Sequence, residues 1–175
     1  MKMKQFFTGC AVAASVALGV GALGGCGTGG GARSANIQAG DMPSGESWDG
    51  VYYNPVYGYL HVVQQEGNVV GRWQRTDKSK WGEMSGTATG NVVHYTWKEH
   101  TYGLIDPAST RAGKGYFVFK MGANDIPELK GEWGNSEDET GNSWDCVQQK
   151  GMKPDLESIT GDMKGTAPAA GEHWE

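Results

Sequence analysis

Cysteine is scarce in this 175-residue chain: there are three, Cys10, Cys26 and Cys146. The first two fall in or at the edge of an N-terminal apolar leader, so Cys146 alone remains in the part that folds. A single thiol makes no intramolecular disulfide, and a small exported domain without one must hold together by packing. Positive charge is short as well. With the leader's Lys2 and Lys4 set aside, thirteen basic residues face twenty acidic ones, a net charge of −7 by difference. That balance argues against nucleic acid, whose binding needs a basic stripe. It argues equally against an electrostatic grip on anionic lipid.

The motifs of catalysis and cofactor binding are missing too. No Gly-x-Ser-x-Gly elbow, phosphate loop or dinucleotide fingerprint occurs. His61, His94 and His100 show no His-x-His or His-x-x-x-His spacing, so they read as surface residues rather than metal ligands. Glu137-Asp138-Glu139 are contiguous, whereas calcium loops alternate their oxygen ligands around a glycine. These three carboxylates read as a solvated loop tip. The expectation is a protein with no catalytic residues, no cofactor and no metal.

What is present begins with the leader. Lys2 and Lys4 form a positive n-region, Phe6 to Val20 is apolar and uncharged, and Leu23-Gly24-Gly25-Cys26 brings small residues up to a cysteine. A Gly-rich polar segment follows at once, so the stretch reads as a secretory signal and not as a transmembrane helix. Leu23 to Cys26 also resembles the lipobox of bacterial lipoproteins. The resemblance implies cleavage before Cys26, lipid modification of its thiol, and, with Gly27 and no aspartate next, an outer-membrane location. The alternative is an ordinary secreted protein cut nearby. Residues 26–46 are rich in Gly, Ser, Ala and Thr and read as a flexible tether.

The domain itself is expected at 47–150, with a mobile tail at 151–175. Gly115-Tyr116-Phe117-Val118-Phe119-Lys120-Met121 alternates with a period of two, as a half-buried strand does. The spelling Gly-x-aromatic recurs at Gly50-Val51-Tyr52, Gly71-Arg72-Trp73, Gly115-Tyr116-Phe117 and Gly131-Glu132-Trp133. Since i and i+2 share a face, each copy sets a missing side chain beside a large ring, which suits a small, strongly coiled sheet. Turn signals separate eight predicted strands: Trp48–Asn54, Tyr57–Gln65, Val69–Arg75, Trp81–Thr89, Val92–Glu99, Gly115–Met121, Leu129–Trp133 and Ser143–Gln149. The fold class is therefore all-β, a single small antiparallel up-and-down barrel of about eight strands.

The order of motifs is similar to the avidin and streptavidin barrel. Gly50-Val51-Tyr52-Tyr53-Asn54 looks like that family's first strand and Gly71-Arg72-Trp73 like its third. Tyr95-Thr96-Trp97-Lys98 and Gly131-Glu132-Trp133 look like its strands with ligand-facing tryptophans. The resemblance implies a barrel from roughly Gly50 to Gln149, with Asn54, Trp97 and Trp133 at positions that contact biotin. Pro55, Val56 and Tyr57 stand where that family has a serine, and no aspartate follows the last strand to hold the ureido group. The likeness thus implies the barrel and not biotin binding. Lipocalin-like barrels fit the pattern equally well.

Two functional readings follow. Asn54, Trp73, Trp97 and Trp133, with Tyr52, Tyr95, Phe117, Phe119 and Trp144, line either a ligand cavity or a filled core. A filled core points to a non-catalytic outer-membrane lipoprotein that serves a secretion, transport or motility machine through contacts with other envelope proteins. A hollow one points to a small-molecule binder. The long connection from His100 to Gly113 carries Tyr102, Leu104, Ile105 and Arg111. It reads either as a partner-binding loop or as a plug for one end of the barrel.

Overall fold

A computed structural model describes residues 31–104 and 109–161; Cys26 and Ile105 lie outside the described residues. Seven strands follow one another as an antiparallel meander: β1 (Gly50–Asn54), β2 (Gly58–Gln65), β3 (Asn68–Gln74), β4 (Lys80–Thr89), β5 (Val92–Thr101), β6 (Arg111–Met121) and β7 (Pro127–Asn135). The eighth is broken in two, β8 (Asn142–Ser143) and β9 (Cys146–Gln148). β9 pairs with β7 on one side and β1 on the other, which closes the barrel. Closure leaves no long edge to template aggregation. The eight-strand barrel read from the sequence is the fold.

The Gly-x-aromatic spelling has a plain physical meaning in the register. Trp73 pairs with Gly82, Tyr95 with Gly115, Trp97 with Gly113 and Phe117 with Gly131. Each ring lies over a glycine on the next strand. A methyl at Gly115 would sit 2.6 Å from the Tyr95 ring, and one at Gly82 would overlap the Trp73 indole. The rings cover the backbone that the glycines leave bare, so coiling and filling come from the same residue pairs.

Trp144 is the hub of the filled interior. Its ring packs against Tyr57, Trp73 and Phe117 with centroids 5.0, 5.1 and 5.2 Å apart, and against Tyr95 at 6.4 Å. That packing explains the break in the eighth strand. Trp144 and Asp145 leave the ladder, and their residual bonds go to β7 and to the end of β1. The Trp144 amide donates to the Gly131 carbonyl, and the Asp145 carbonyl accepts from Asn54 Nδ2. Such interruptions re-aim a side chain without losing closure.

The barrel has two unlike ends. Connections 55–57, 75–79 and 136–141, with residues 102–104 and 109–110, form an upper rim, and the tight turns 66–67, 90–91 and 122–126 form a lower one. Trp48, expected inside the first strand, precedes it instead. Its ring closes the lower end edge-on against Phe119, and its carbonyl accepts from Tyr52 Oη. Strands β5 and β6 run further than their alternation suggested, so the long connection shrinks to 102–110.

Both flanks expected to be free are bound as far as they are described. Arg33 Nη2 meets Asp138 Oδ2 at 2.8 Å, the Ala35 amide donates to Glu139, and Gly40 exchanges two hydrogen bonds with Asn91. Residues 33–40 therefore form a strap down the outer wall from the upper rim to the lower. On the far side, Arg72 Nη1 donates to the Leu156 carbonyl, His61 Nδ1 faces the Asp155 backbone, and Ile159 is buried. A short 3-10 turn, Leu156–Ser158, is capped by the Asp155 carboxylate. Flexible composition thus did not prevent docking, because backbone amides and carbonyls there find partners on the barrel.

Candidate functional site

Alternation places Trp73, Trp97 and Trp133 on the inward faces of β3, β5 and β7, and the strand register brings them together under the upper rim. Trp133 is only half buried, at the mouth, where its Nε1 donates to Tyr57 Oη at 3.1 Å and its ring meets Trp97 edge-on at 5.1 Å. Trp97 is deeper and donates to the Lys114 and Gly134 carbonyls at 3.1 and 3.2 Å. Asn54 does not join them. Its Oδ1 accepts from the amides of Val56 and Tyr57, and its Nδ2 donates to the Asp145 carbonyl at 2.7 Å. Asn54 therefore fixes the first turn and staples it to the broken strand, which uses both ends of its amide.

A buried ion cluster caps this aromatic floor. Glu99 is 7% exposed, with Oε2 3.2 Å from Arg75 Nη2 and Oε1 3.0 Å from Lys80 Nζ. Two cations on one desolvated carboxylate are what such burial requires. Arg75 also lies over the Tyr57 ring, and Arg111 over Trp133, at 6.0 and 5.8 Å from the ring centroids. Cation–π contacts of this kind hold guanidinium groups flat against the mouth. Glu99 escaped the sequence reading, although its signal was present: it is the fourth member of the inward series Val93, Tyr95, Trp97, Glu99. A charge on a core-facing register needs partners, and Arg75 in the β3–β4 turn and Lys80 at the start of β4 supply them.

Between these rings remains a void of about 20 Å³. That is room for about one water, far below the roughly 300–1,000 Å³ of ligand pockets. The interior is filled.

Tyr102, on the upper connection, accepts a hydrogen bond from Gln74 Nε2 at 2.5 Å, and its amide donates to the Ser79 carbonyl. Leu104 turns outward and is 58% exposed. Arg111, besides covering Trp133, donates to Asn135 Oδ1 at 2.8 Å. Tyr102 thus ties the end of β5 to β3 and the β3–β4 turn, Arg111 at the start of β6 covers the mouth, and Leu104 stands in solvent.

The titratable groups set aside in the sequence occupy separate places. His61 faces the 155–159 segment, His94 faces Glu139, and His100 stacks on Trp81 at 4.4 Å. The three contiguous carboxylates diverge: Glu137 to Lys114, Asp138 to Arg33, Glu139 to His94. Asp138 and Glu139 are the clasp for the strap, whereas Glu137 stays in solvent as a loop tip; the Arg33 hydrogen bonds hold the Asp138 carboxyl below its usual range. Among the described residues no group of three or more potential ligands converges as a metal site would. Burial pushes the Cys146 thiol well above its ordinary value, so it stays protonated as a core group.

On the outer wall over β3, β4 and β5 lies an open groove of about 420 Å³, edged by Arg72, Glu83, Ser85, Thr96, Lys98 and Leu156. Charged and apolar side chains line it together, and it opens to solvent on the flank of the sheet rather than at either end of the barrel. No protein-family model, curated protein or solved structure matches this chain.

Proposed function

We propose that this chain is a non-catalytic lipoprotein of the outer membrane, anchored through lipid on Cys26, whose barrel works by contact with other envelope proteins. The observation that carries the reading is the filled interior. A barrel whose rings leave about 20 Å³ does not offer its inside to a small molecule, so recognition falls to its outside. The divergent histidines and carboxylates and the protonated, buried Cys146 agree with a non-catalytic role. The lipobox spelling Leu23-Gly24-Gly25-Cys26 supports the anchor and the location. Accessory service to a secretion, transport or motility assembly fits a small domain of this kind. The groove edged by Ser85 and Thr96 is the surface to test first.

The experiment is affinity purification of the tagged, mature protein from solubilised outer membranes, followed by mass spectrometry, alongside Thr96→Arg. The expected result is an envelope protein in near-stoichiometric amount that the variant loses while keeping its melting temperature. Recovery of no protein partner, together with a small molecule retained in native mass spectrometry, would overturn the reading. The anchor is tested separately by Cys26→Ser, which should release a soluble periplasmic protein or leave uncleaved precursor.

A further inference from the structure

The two rims of the barrel differ in what they show to solvent. Among the described residues five large apolar side chains are exposed, and three of them stand at the upper end: Val56 at 62%, Leu104 at 58% and Tyr59 at 38%. Val56 lies in the β1–β2 turn, Leu104 follows the end of β5, and Tyr59 pairs with Tyr53 just below, ring centroids 4.9 Å apart. Lys78 and Arg111 are exposed on the same rim, with Asp77 next to Lys78. The acidic connection 136–141 folds away from this surface, laying Asp138 back against Gly134 on the outer wall. The lower turns carry Glu66-Gly67, Gly90-Asn91 and Gly122-Ala123-Asn124-Asp125, with no comparable apolar tip.

Chain length points to the same end. The strap begins at the upper rim, where Arg33 is clasped by Asp138. Only residues 27–32, Gly27 to Ala32, separate Cys26 from that clasp. Fully extended, such a spacer reaches about 25 Å at 3.3–3.6 Å per residue. As a Gly-rich coil it averages about 15 Å. Strands of ten and eleven residues, tilted as in other small barrels, place the lower rim about 25 Å further off. The far side of the described chain also ends here, with Gly161 over the Trp81 ring.

We infer that the upper rim is the membrane-facing end of the domain, and that Val56 and Leu104 seat it in the interfacial zone of the bilayer. The inference rests on the lipid anchor at Cys26 proposed above. The anchor holds the protein, as its net acidity requires, and the rim sets its orientation. Apolar tips enter the headgroup boundary, the Tyr53–Tyr59 pair and Trp81 lie at its edge as amphipathic rings do, and Lys78 and Arg111 face the phosphates. The groove over β3 to β5 then stands sideways, open to other proteins.

The test uses the mature, lipid-modified chain in vesicles of phosphatidylethanolamine with a minority of phosphatidylglycerol. Single reporters are placed by Val56→Cys, Leu104→Cys and Met152→Cys and labelled with an environment-sensitive fluorophore, Cys146 remaining buried. Lipids carrying nitroxides at the depth of interfacial insertion, about 5–10 Å, should quench the labels at 56 and 104 and spare the one at 152. In the Cys26→Ser background all three labels should stay in water. Labels at 56 and 104 that remain unquenched while the protein floats with the vesicles overturn the orientation and leave the anchor standing. The same holds if those positions become shielded only when a purified protein partner is added. A mature chain whose intact mass shows unmodified Cys26, and which does not float, overturns the anchor and the orientation together.

Discussion

Trp144→Ala should be the most damaging single change in the barrel, and its cost can be worked from its surroundings. The indole is 3% exposed and touches four other rings. Removing a buried tryptophan costs about 3–5 kcal/mol, and each well-oriented aromatic pair adds about 0.5–1.5 kcal/mol beyond buried area. These contributions overlap, so we expect a loss at the upper end, about 5 kcal/mol. A domain of this size has about 5–15 kcal/mol in total. The variant should therefore be unfolded or close to its midpoint without denaturant. Trp133→Ala is the control. Sequence alternation alone would give it the same cost, but the ring stands half buried at the mouth and touches Trp97 and Tyr57. We expect a smaller loss, about 2–3 kcal/mol, because a partly exposed ring with fewer ring contacts removes less apolar area from contact. Urea denaturation followed by far-ultraviolet circular dichroism measures both without relying on tryptophan emission. If Trp144→Ala lost less than about 1 kcal/mol, or no more than Trp133→Ala, the hub would not exist and the packing argument would fail.

Further changes probe other parts of the same reasoning. Gly82→Ala forces a methyl into the Trp73 ring and should cost about 1–3 kcal/mol, the usual range for overpacking; a neutral melting curve would show that the ring moves freely. Cys146 should resist a disulfide reagent in the native state and react on unfolding. In the mature protein the unfolded chain should then titrate as one thiol, because lipid blocks Cys26; two would refute the modification. The clasp between Arg33 and Asp138 should depend on acid. The carboxyl is depressed when folded, so its contribution is present above the unfolded value of about 3.9 and is lost as pH falls through the lower folded one. The Arg33 amide, which donates to Asp138 Oδ1, should titrate by NMR below the ordinary aspartate range. In Asp138→Asn that titration should vanish. A midpoint at or above the ordinary value would mean the ion pair does not form.

How much of this was legible beforehand depended on whether a residue's role followed from its own alternation. The inward set Tyr52, Trp73, Tyr95, Trp97, Phe117 and Phe119 was, because period-two spacing assigns a face whatever lies opposite. Closure was too, since every link except the one from His100 to Gly113 reads as a short hairpin. The pairing of ring with glycine across strands was only half visible. The sequence shows Gly and aromatic two residues apart on one strand, while the contact that matters joins Trp73 to Gly82 and Tyr95 to Gly115 through a register fixed by the turns. The strap and the 155–159 segment were hidden for a different reason. Their composition is that of a linker, and what binds them is mostly backbone hydrogen bonding to Glu139, Asn91, His61 and Arg72, to which composition is blind. Asn54 shows the limit most sharply. Its place in a resemblance suggested a ligand contact, yet both ends of its amide are committed to the Val56 and Tyr57 amides and the Asp145 carbonyl. The same residue type in the same strand can face a ligand or staple a turn. The break in the eighth strand decides between them here, because it frees the Asp145 carbonyl that would otherwise have no partner.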